Sequence, residues 1–300
     1  MSGIPAAVVP VVLLAALLHA TWNAMAHAVP DRLIAFALIG AAYLIAGGAM
    51  VAVTPLPAAG SWVYLIASVL LHVLYNLLLM RSFMLGDFGQ VYPLARGTAV
   101  AVVAVLATVA VGEAMPPARL VGVILVCVGL AALVAPLGRT AHAELPAVVA
   151  ALGTGVMIAG YTTVDGVGVR GSGSVLGYTG WLFLLQGAAL PILAYARRGR
   201  GLARQARPYL LAGLAGGVLS LTAYGLVLWA QTRAPLAPVA ALRETSSLMG
   251  AIIGAVVFRE SFFSCMGVGI DSRPAWYDSV RAARMGASCA KRASTVRGSS

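Results

Sequence analysis

Charged side chains are scarce in this sequence. They make up 10% of its 300 residues, against 61% hydrophobic, at a mean hydropathy of +0.94. That balance excludes a soluble globular domain and marks an integral membrane protein. Cysteine is rare as well: Cys127, Cys265 and Cys289 show no CxxC or His/Cys spacing, so neither a disulfide framework nor a metal site is supported. The chain lacks GxxxxGK[ST], and with it an ATP-binding loop, and no acidic metal-binding cluster or set of nucleophile, base and orienting group stands out. "GVGVRG" (166–171) fits GxGxxG but follows an apolar helix rather than a strand, which removes its meaning as a dinucleotide loop. No Lys or Arg precedes the first apolar run, so the small-residue "AMA" at 24–26 lies in a first spanning helix and is not a cleavage site.

What is present is a series of apolar runs, each near the roughly 20 residues a spanning helix needs. Nine are predicted, at about 4–28, 33–53, 62–82, 89–111, 119–136, 146–168, 175–196, 209–231 and 236–258. Gly and Ala occur throughout, and the ten-residue alternation of a membrane barrel is missing, so the fold class is all-α. Lys291 is the single lysine among 20 basic residues, and the arginines gather in "ARRGRGLARQARP" (196–208) and in the last 30 residues. With a net charge of +11, that grouping reads as charge held on the cytoplasmic side, with no nucleic-acid partner.

The chain is duplicated. "VYPLARGTAVAVVAVLATVAVGE" (91–113) aligns with "PVAALRETSSLMGAIIGAVVFRE" (238–260), bringing Arg96 onto Arg243, Thr98 onto Thr245 and Glu113 onto Glu260 at one offset of 147 (243 − 96). "ALLHATWNAMAHA" in the first helix takes the place of "MIAGYTTVDGVGV" in the sixth, and "PLGRTAHAELP" joins the halves. Five helices per half is an odd number, so the halves enter the membrane from opposite sides. The predicted organisation is a first repeat at 1–136, a linker at 137–145, a second repeat at 146–260 and a tail at 261–300 expected to be disordered.

An arginine at the middle of a spanning helix costs roughly 2.5–3.5 kcal/mol. Arg96 and Glu113 lie 17 residues apart (113 − 96), as do Arg243 and Glu260, about 25 Å along a helix, so neither pair closes within its own helix. In antiparallel helices Arg96 comes level with Glu260, and Arg243 with Glu113. Two readings stand for the arginines: structural ion pairs that fix register, or contacts to the anionic groups of a substrate or a gate. Glu244 aligns with Gly97 and need not pair with its neighbour Arg243.

Further polar positions recur on helix faces. His19, Asn23 and His27 share one face of the first helix with Trp22 nearby, and His72 and Asn76 share one of the third. Such stripes bond neighbouring helices or line a cavity, and His27, near a helix end, reads as interfacial. Asp165, four residues after Tyr161 and five before Arg170, is either a coupling site for a proton or cation or a hydrated group at the membrane boundary. Gln186 and Gln231 are weaker candidates. Gly213/Gly217 and Gly250/Gly254 are GxxxG pairs suited to close helix packing.

"HATWNA" (19–24), "GDFGQVYPLARG" (86–97) with "GE" (112–113), "YTTVDG" (161–166) and "AYGLVLWAQTRAPLAPVAALRETS" (223–246) with "RE" (259–260) resemble the ten-helix EamA-like branch of the drug/metabolite transporter superfamily. The resemblance covers about residues 8–260. It implies a secondary carrier for small metabolites such as amino acids or their relatives, most often an exporter, with a central cavity between two five-helix halves and no cofactor. The sequence departs from that pattern after Glu260: "SFFSCMGVGI" gives way to a tail with six basic and two acidic residues in its last 30, where no tenth helix can span. A reading-frame change near residues 261–270 is the expectation.

Loop charge predicts orientation. With the N-terminus outside, Arg32, Arg81, Arg139, Arg197, Arg198, Arg200, Arg204, Arg207 and Arg259 are cytoplasmic, whereas Arg119, Arg170 and Arg233 are external. The expected location is a bacterial inner membrane, and the expected partners are lipid, a small-molecule substrate and a coupling proton or cation. Two alternatives remain: an enzyme of lipid or polyprenyl phosphates that uses Arg96 and Arg243 as phosphate clamps, and an inactive truncated carrier.

Overall fold

The computed structural model describes residues 4–85, 88–134, 145–249 and 253. The linker, Glu260 and the tail lie outside them, as do Gly250 and Gly254 and the side chain of His27. Within the described residues the chain is helical and has no strand. The first half supplies α1 (Val8–Ala28), α2 (Arg32–Val53), α3 (Trp62–Leu85), α4 (Phe88–Val109) and α5 (Pro117–Val134). The second supplies α6 (Leu145–Arg170), α7 (Val175–Gly187), α8 (Ala189–Arg198), the short α9 (Leu202–Ala206), α10 (Leu210–Gln231) and α11 (Leu236–Arg243). Exposed leucines, valines and isoleucines such as Val53, Leu70, Leu125 and Leu211 run along the outside, as a lipid-facing surface requires.

Local chemistry sets the boundaries. Asp31 caps α2 by accepting from the backbone N–H groups of Leu33 and Ile34 at 3.0 and 3.3 Å, and Ser174 caps α7 through Gly177 N–H at 3.0 Å. The seventh predicted helix, expected continuous over 175–196, breaks at Ala188. Pro191 is the reason: it has no N–H for the carbonyl four residues back, that of Gly187. The ninth predicted helix, expected continuous over 236–258, is also interrupted. Glu244 closes α11 with an N–H bond to Ala241 O at 3.1 Å, Ser247 N–H returns to Glu244 O at 3.0 Å, and helix resumes over 245–249. This tightened turn makes α11 a discontinuous helix of the kind that builds transporter sites.

The packing follows the duplication. α1 lies on α10 and α3 on α6, two contacts exchanged when the halves are swapped, while α2 meets its own counterpart α7 and α4 meets α11. Gly40 and Gly187, which differ by the same 147 (187 − 40), face one another across the α2–α7 seam: a Cβ on Gly40 would come 2.7 Å from Gly187 O, and one on Gly187 would come 2.9 Å from Gly40 O. Seven residues on, a Cβ on Gly47 would come 2.9 Å from Gly180 O, so the two helices run antiparallel with their backbones closely packed. The inverted repeat therefore has its local two-fold at a glycine facing its own duplicate. Gly213 and Gly217 place α10 against Leu38 and Ala42 of α2, the close packing their spacing predicted. The glycines of "GVGVRG" also serve packing: Gly166 lies on Leu236 and Gly168 on Tyr64 and Tyr178, within and not beyond helix α6.

Candidate substrate site

Three polar constellations occupy the bundle. The first gathers at Asp165 on α6, which is fully buried and not a hydrated boundary group. Its Oδ1 accepts from the Tyr178 hydroxyl of α7 at 2.9 Å, and its Oδ2 accepts from the Tyr224 hydroxyl of α10 at 2.6 Å. Ser68 of α3 also faces the carboxylate. One acid thus ties together helices of both halves. Its hydroxyl donors are what make burial of a carboxyl tolerable.

An aromatic wall continues from this knot. His72 stacks on Tyr161 at 3.9 Å between ring centroids and meets Tyr224 edge-on at 5.6 Å, and Tyr75 closes on Tyr161 at 5.6 Å. Phe183 meets both Tyr43 and Tyr224, and the Tyr43 and Ser220 hydroxyls share a bond of 2.7 Å. His72 Nδ1 lies 3.0 Å from Ser68 O. The asparagines of the two stripes do not reach across helices with their amide nitrogens: Asn23 Nδ2 donates to His19 O and Asn76 Nδ2 to His72 O, each at 2.8 Å on its own helix. Trp22 Nε1 donates to His19 Nδ1 at 3.3 Å.

The second constellation holds the duplicated arginines, and they are not equivalent. Arg96 Nε donates to Glu244 Oε2 at 2.7 Å and Arg96 Nη2 to the Ser246 hydroxyl at 3.3 Å. Glu244 is therefore a partner of Arg96; Glu260, to which the repeat pointed, lies outside the described residues. The tight turn at the end of α11 explains this, since it swings Glu244 off the course of a continuous helix and toward α4. Arg243 is just as buried, at 5% exposure, yet its Nε meets no partner among the described residues. Around it lie His19, His72 and Tyr224, all within electrostatic reach of its guanidinium.

The third constellation lies at one membrane face. Glu113, expected beside Arg243, instead takes Arg170: Arg170 Nη2 donates to Glu113 Oε1 at 2.8 Å. Seven residues of α11 separate its N-terminus, where Glu113 lies, from Arg243, so the two never come level (243 − 236). Glu113 Oε2 accepts the Leu236 N–H at 2.8 Å. A cavity of about 710 Å³ opens here, lined by Arg119, Arg170, Arg233, Glu113 and Gln231 among others. At the opposite face Arg198 Nη2 donates to Asp31 Oδ2 at 2.6 Å. Neither Arg170 nor Arg198 figured in the sequence expectations as a partner. Among the described residues no group of His, Cys, Asp and Glu has the arrangement of a metal site.

Of the expected site residues, His72, Tyr161 and Asp165 cluster with Tyr224, while His19, Trp22, Arg96, Arg243 and Glu244 cluster at the junction of α1, α4 and α11. Asn23 and Asn76 flank these groups on α1 and α3, and Glu113 belongs to the outer cavity. Tyr43, Tyr178 and Tyr224 were missed. Tyrosine in an apolar run carries no signal until a buried acid is found opposite it.

Residues 145–270 match the model of the EamA-like transporter family. The match ends where the apolar run after Glu260 gives way to the basic tail. No curated protein matches the chain in sequence. A protein of known crystal structure is similar at a TM-score of 0.58 and 20% identity, over 87% of this chain and 92% of its own; at that identity the likeness is one of fold. The second half of the chain is thus similar to the EamA-like transporter family, within a helical fold that is duplicated across the described residues.

Proposed function

We propose that the protein is a gradient-driven exporter of a small polar metabolite bearing an anionic group, such as an amino acid or a related compound, working by alternating access in a bacterial inner membrane with its N-terminus outside. The observation that carries this reading is the asymmetry of the duplicated arginines. Glu244 neutralises Arg96, whereas Arg243 keeps a buried Nε that has no partner among the described residues, beside His19, His72 and Tyr224. An orphaned cationic donor in a membrane interior costs too much to be kept for packing, and a substrate carboxylate would satisfy it. The half-buried rings of Tyr43, Tyr75 and Tyr224 belong to the adjoining aromatic wall and suit a solute with an apolar portion. The buried acid Asp165, shared by both halves, supports coupling to a proton or cation.

The test is counterflow in proteoliposomes with a mixed panel of radiolabelled metabolites. Exchange of at least one carboxylate-bearing solute is expected, together with its loss in Arg243→Ala and partial retention in Arg243→Lys, which keeps the charge but not the fork of donors. Undiminished exchange in Arg243→Ala would refute the assignment.

A further inference from the structure

We infer that Arg170 is a second anion-binding position, the gate at its membrane face, where a carboxylate of the permeating solute exchanges with that of Glu113. The inference rests on the carrier reading above but concerns a different site.

The socket around Arg170 is written in "APLAP" (234–238). Pro235 and Pro238 have no N–H, so the carbonyls four residues before them, those of Gln231 and Ala234, receive no helical bond from those positions. Arg170 takes both: its Nε donates to Gln231 O at 2.7 Å and its Nη2 to Ala234 O at 3.0 Å. The same Nη2 holds Glu113 Oε1 at 2.8 Å, and Glu113 Oε2 holds the Leu236 N–H, one of the orphan donors of the first turn of α11. One ion pair therefore fastens the loop after α4, in the first half, to the ends of α6, α10 and α11 in the second.

What it fastens is the helix that carries the substrate arginine. α11 runs from Leu236 at the latch to Arg243 at the inner site, so release of its first turn frees the path between the outer cavity and Arg243. The pair is accessible to solute, with side-chain exposures of 31% for Arg170 and 14% for Glu113, and it borders the 710 Å³ cavity. Arg233, stacked on Trp229 at 4.7 Å, and Arg119 give that cavity an excess of cations over its one acid, Glu113. An anion collected there meets Arg170 with a ligand it already prefers, a carboxylate, and can take the place of Glu113 without leaving the guanidinium bare. A separate inter-half ion pair, Asp31–Arg198, lies at the opposite face.

The experiment places a single cysteine at Ala240, buried on α11 inside the latch, in a full-length chain whose native cysteines are replaced by serine. Its labelling by a charged methanethiosulfonate is timed in detergent. Glu113→Gln is expected to speed labelling about tenfold, and the exchanged pair Glu113→Arg with Arg170→Glu to bring it back toward the starting rate. Sodium acetate should speed labelling of the unmodified latch more than sodium chloride at equal ionic strength, with no further effect in Glu113→Gln. Equal rates in Glu113→Gln and its parent, or equal action of acetate and chloride, would overturn the inference. Labelling needs no transported substrate, so these outcomes stand apart from those of the counterflow assay. Monodispersity of each variant on gel filtration separates gating from misfolding, and the exchanged pair keeps the test open if Glu113→Gln does not assemble.

Discussion

Removing one member of the Arg96–Glu244 pair is predicted to destabilise the bundle far more than removing both. The two side chains are 5% and 6% exposed and meet at 2.7 Å. Two charges about 4 Å apart in an effective dielectric of about 20 attract by about 4 kcal/mol. Breaking a buried pair from one side costs about 3–5 kcal/mol, because the remaining ion stays desolvated. Glu244→Gln keeps an acceptor oxygen, and the Ser246 bond to Arg96 survives, so the lower figure applies. About 3 kcal/mol is more than a hundredfold in the folding equilibrium. Arg96→Met with Glu244→Met removes both charges while keeping volume, and should cost under about 1.5 kcal/mol. The assay is unfolding in mixed micelles of rising dodecyl sulfate content, followed by tryptophan fluorescence, for both single variants and the double. A single-variant cost below about 1 kcal/mol, or costs that simply add, would mean that the pair behaves as a solvated surface bridge. Pairing with Glu244 would then not set Arg96 apart from Arg243.

Other perturbations test other parts of the fold. Gly47→Val should cost several kcal/mol in the same unfolding assay, since a Cβ there already lies 2.8 Å from Leu184 N and 2.9 Å from Gly180 O, both backbone atoms that cannot step aside; wild-type stability would refute the close α2–α7 seam. Asp165→Asn offers one acceptor oxygen where the carboxylate offers two to Tyr178 and Tyr224, with an expected loss of about 1.5–3 kcal/mol and, under the coupling proposal, loss of the response of exchange to an imposed pH gradient. Asp31→Asn keeps a capping oxygen for α2 and loses only the partly exposed pair with Arg198. Asp31→Ala loses both and should be less stable by a further 1 kcal/mol or so, and equal effects of the two would show that the cap contributes nothing.

Much of this molecule was legible because a membrane leaves few options. Long apolar runs with every backbone group satisfied internally have to be helices, and a repeated Arg at an offset of 147 (243 − 96) announces duplication whatever the rest of the sequence does. The same offset relates Gly40 to Gly187 (187 − 40), although only their contact shows why both are glycine. The level of a residue along a helix follows from counting. For that reason Arg96 and Arg243 could be singled out as intramembrane charges before their surroundings were known, whereas the burial of Asp165 was settled only by the fold.

The sequence by itself determined the class, the duplication and the intramembrane arginines and carboxylates, though not the tyrosines around Asp165, because these depend on composition, spacing and the cost of charge in an apolar medium. Only the tertiary structure decided who pairs with whom. A repeat gives height along a helix but not the direction a side chain takes around it, and one tight turn at Glu244 was enough to send that acid to Arg96. In the same way, two prolines in "APLAP" left Gln231 and Ala234 with carbonyls that Arg170 could claim, so Glu113 found its cation at Arg170 and the buried Nε of Arg243 was left without a partner among the described residues.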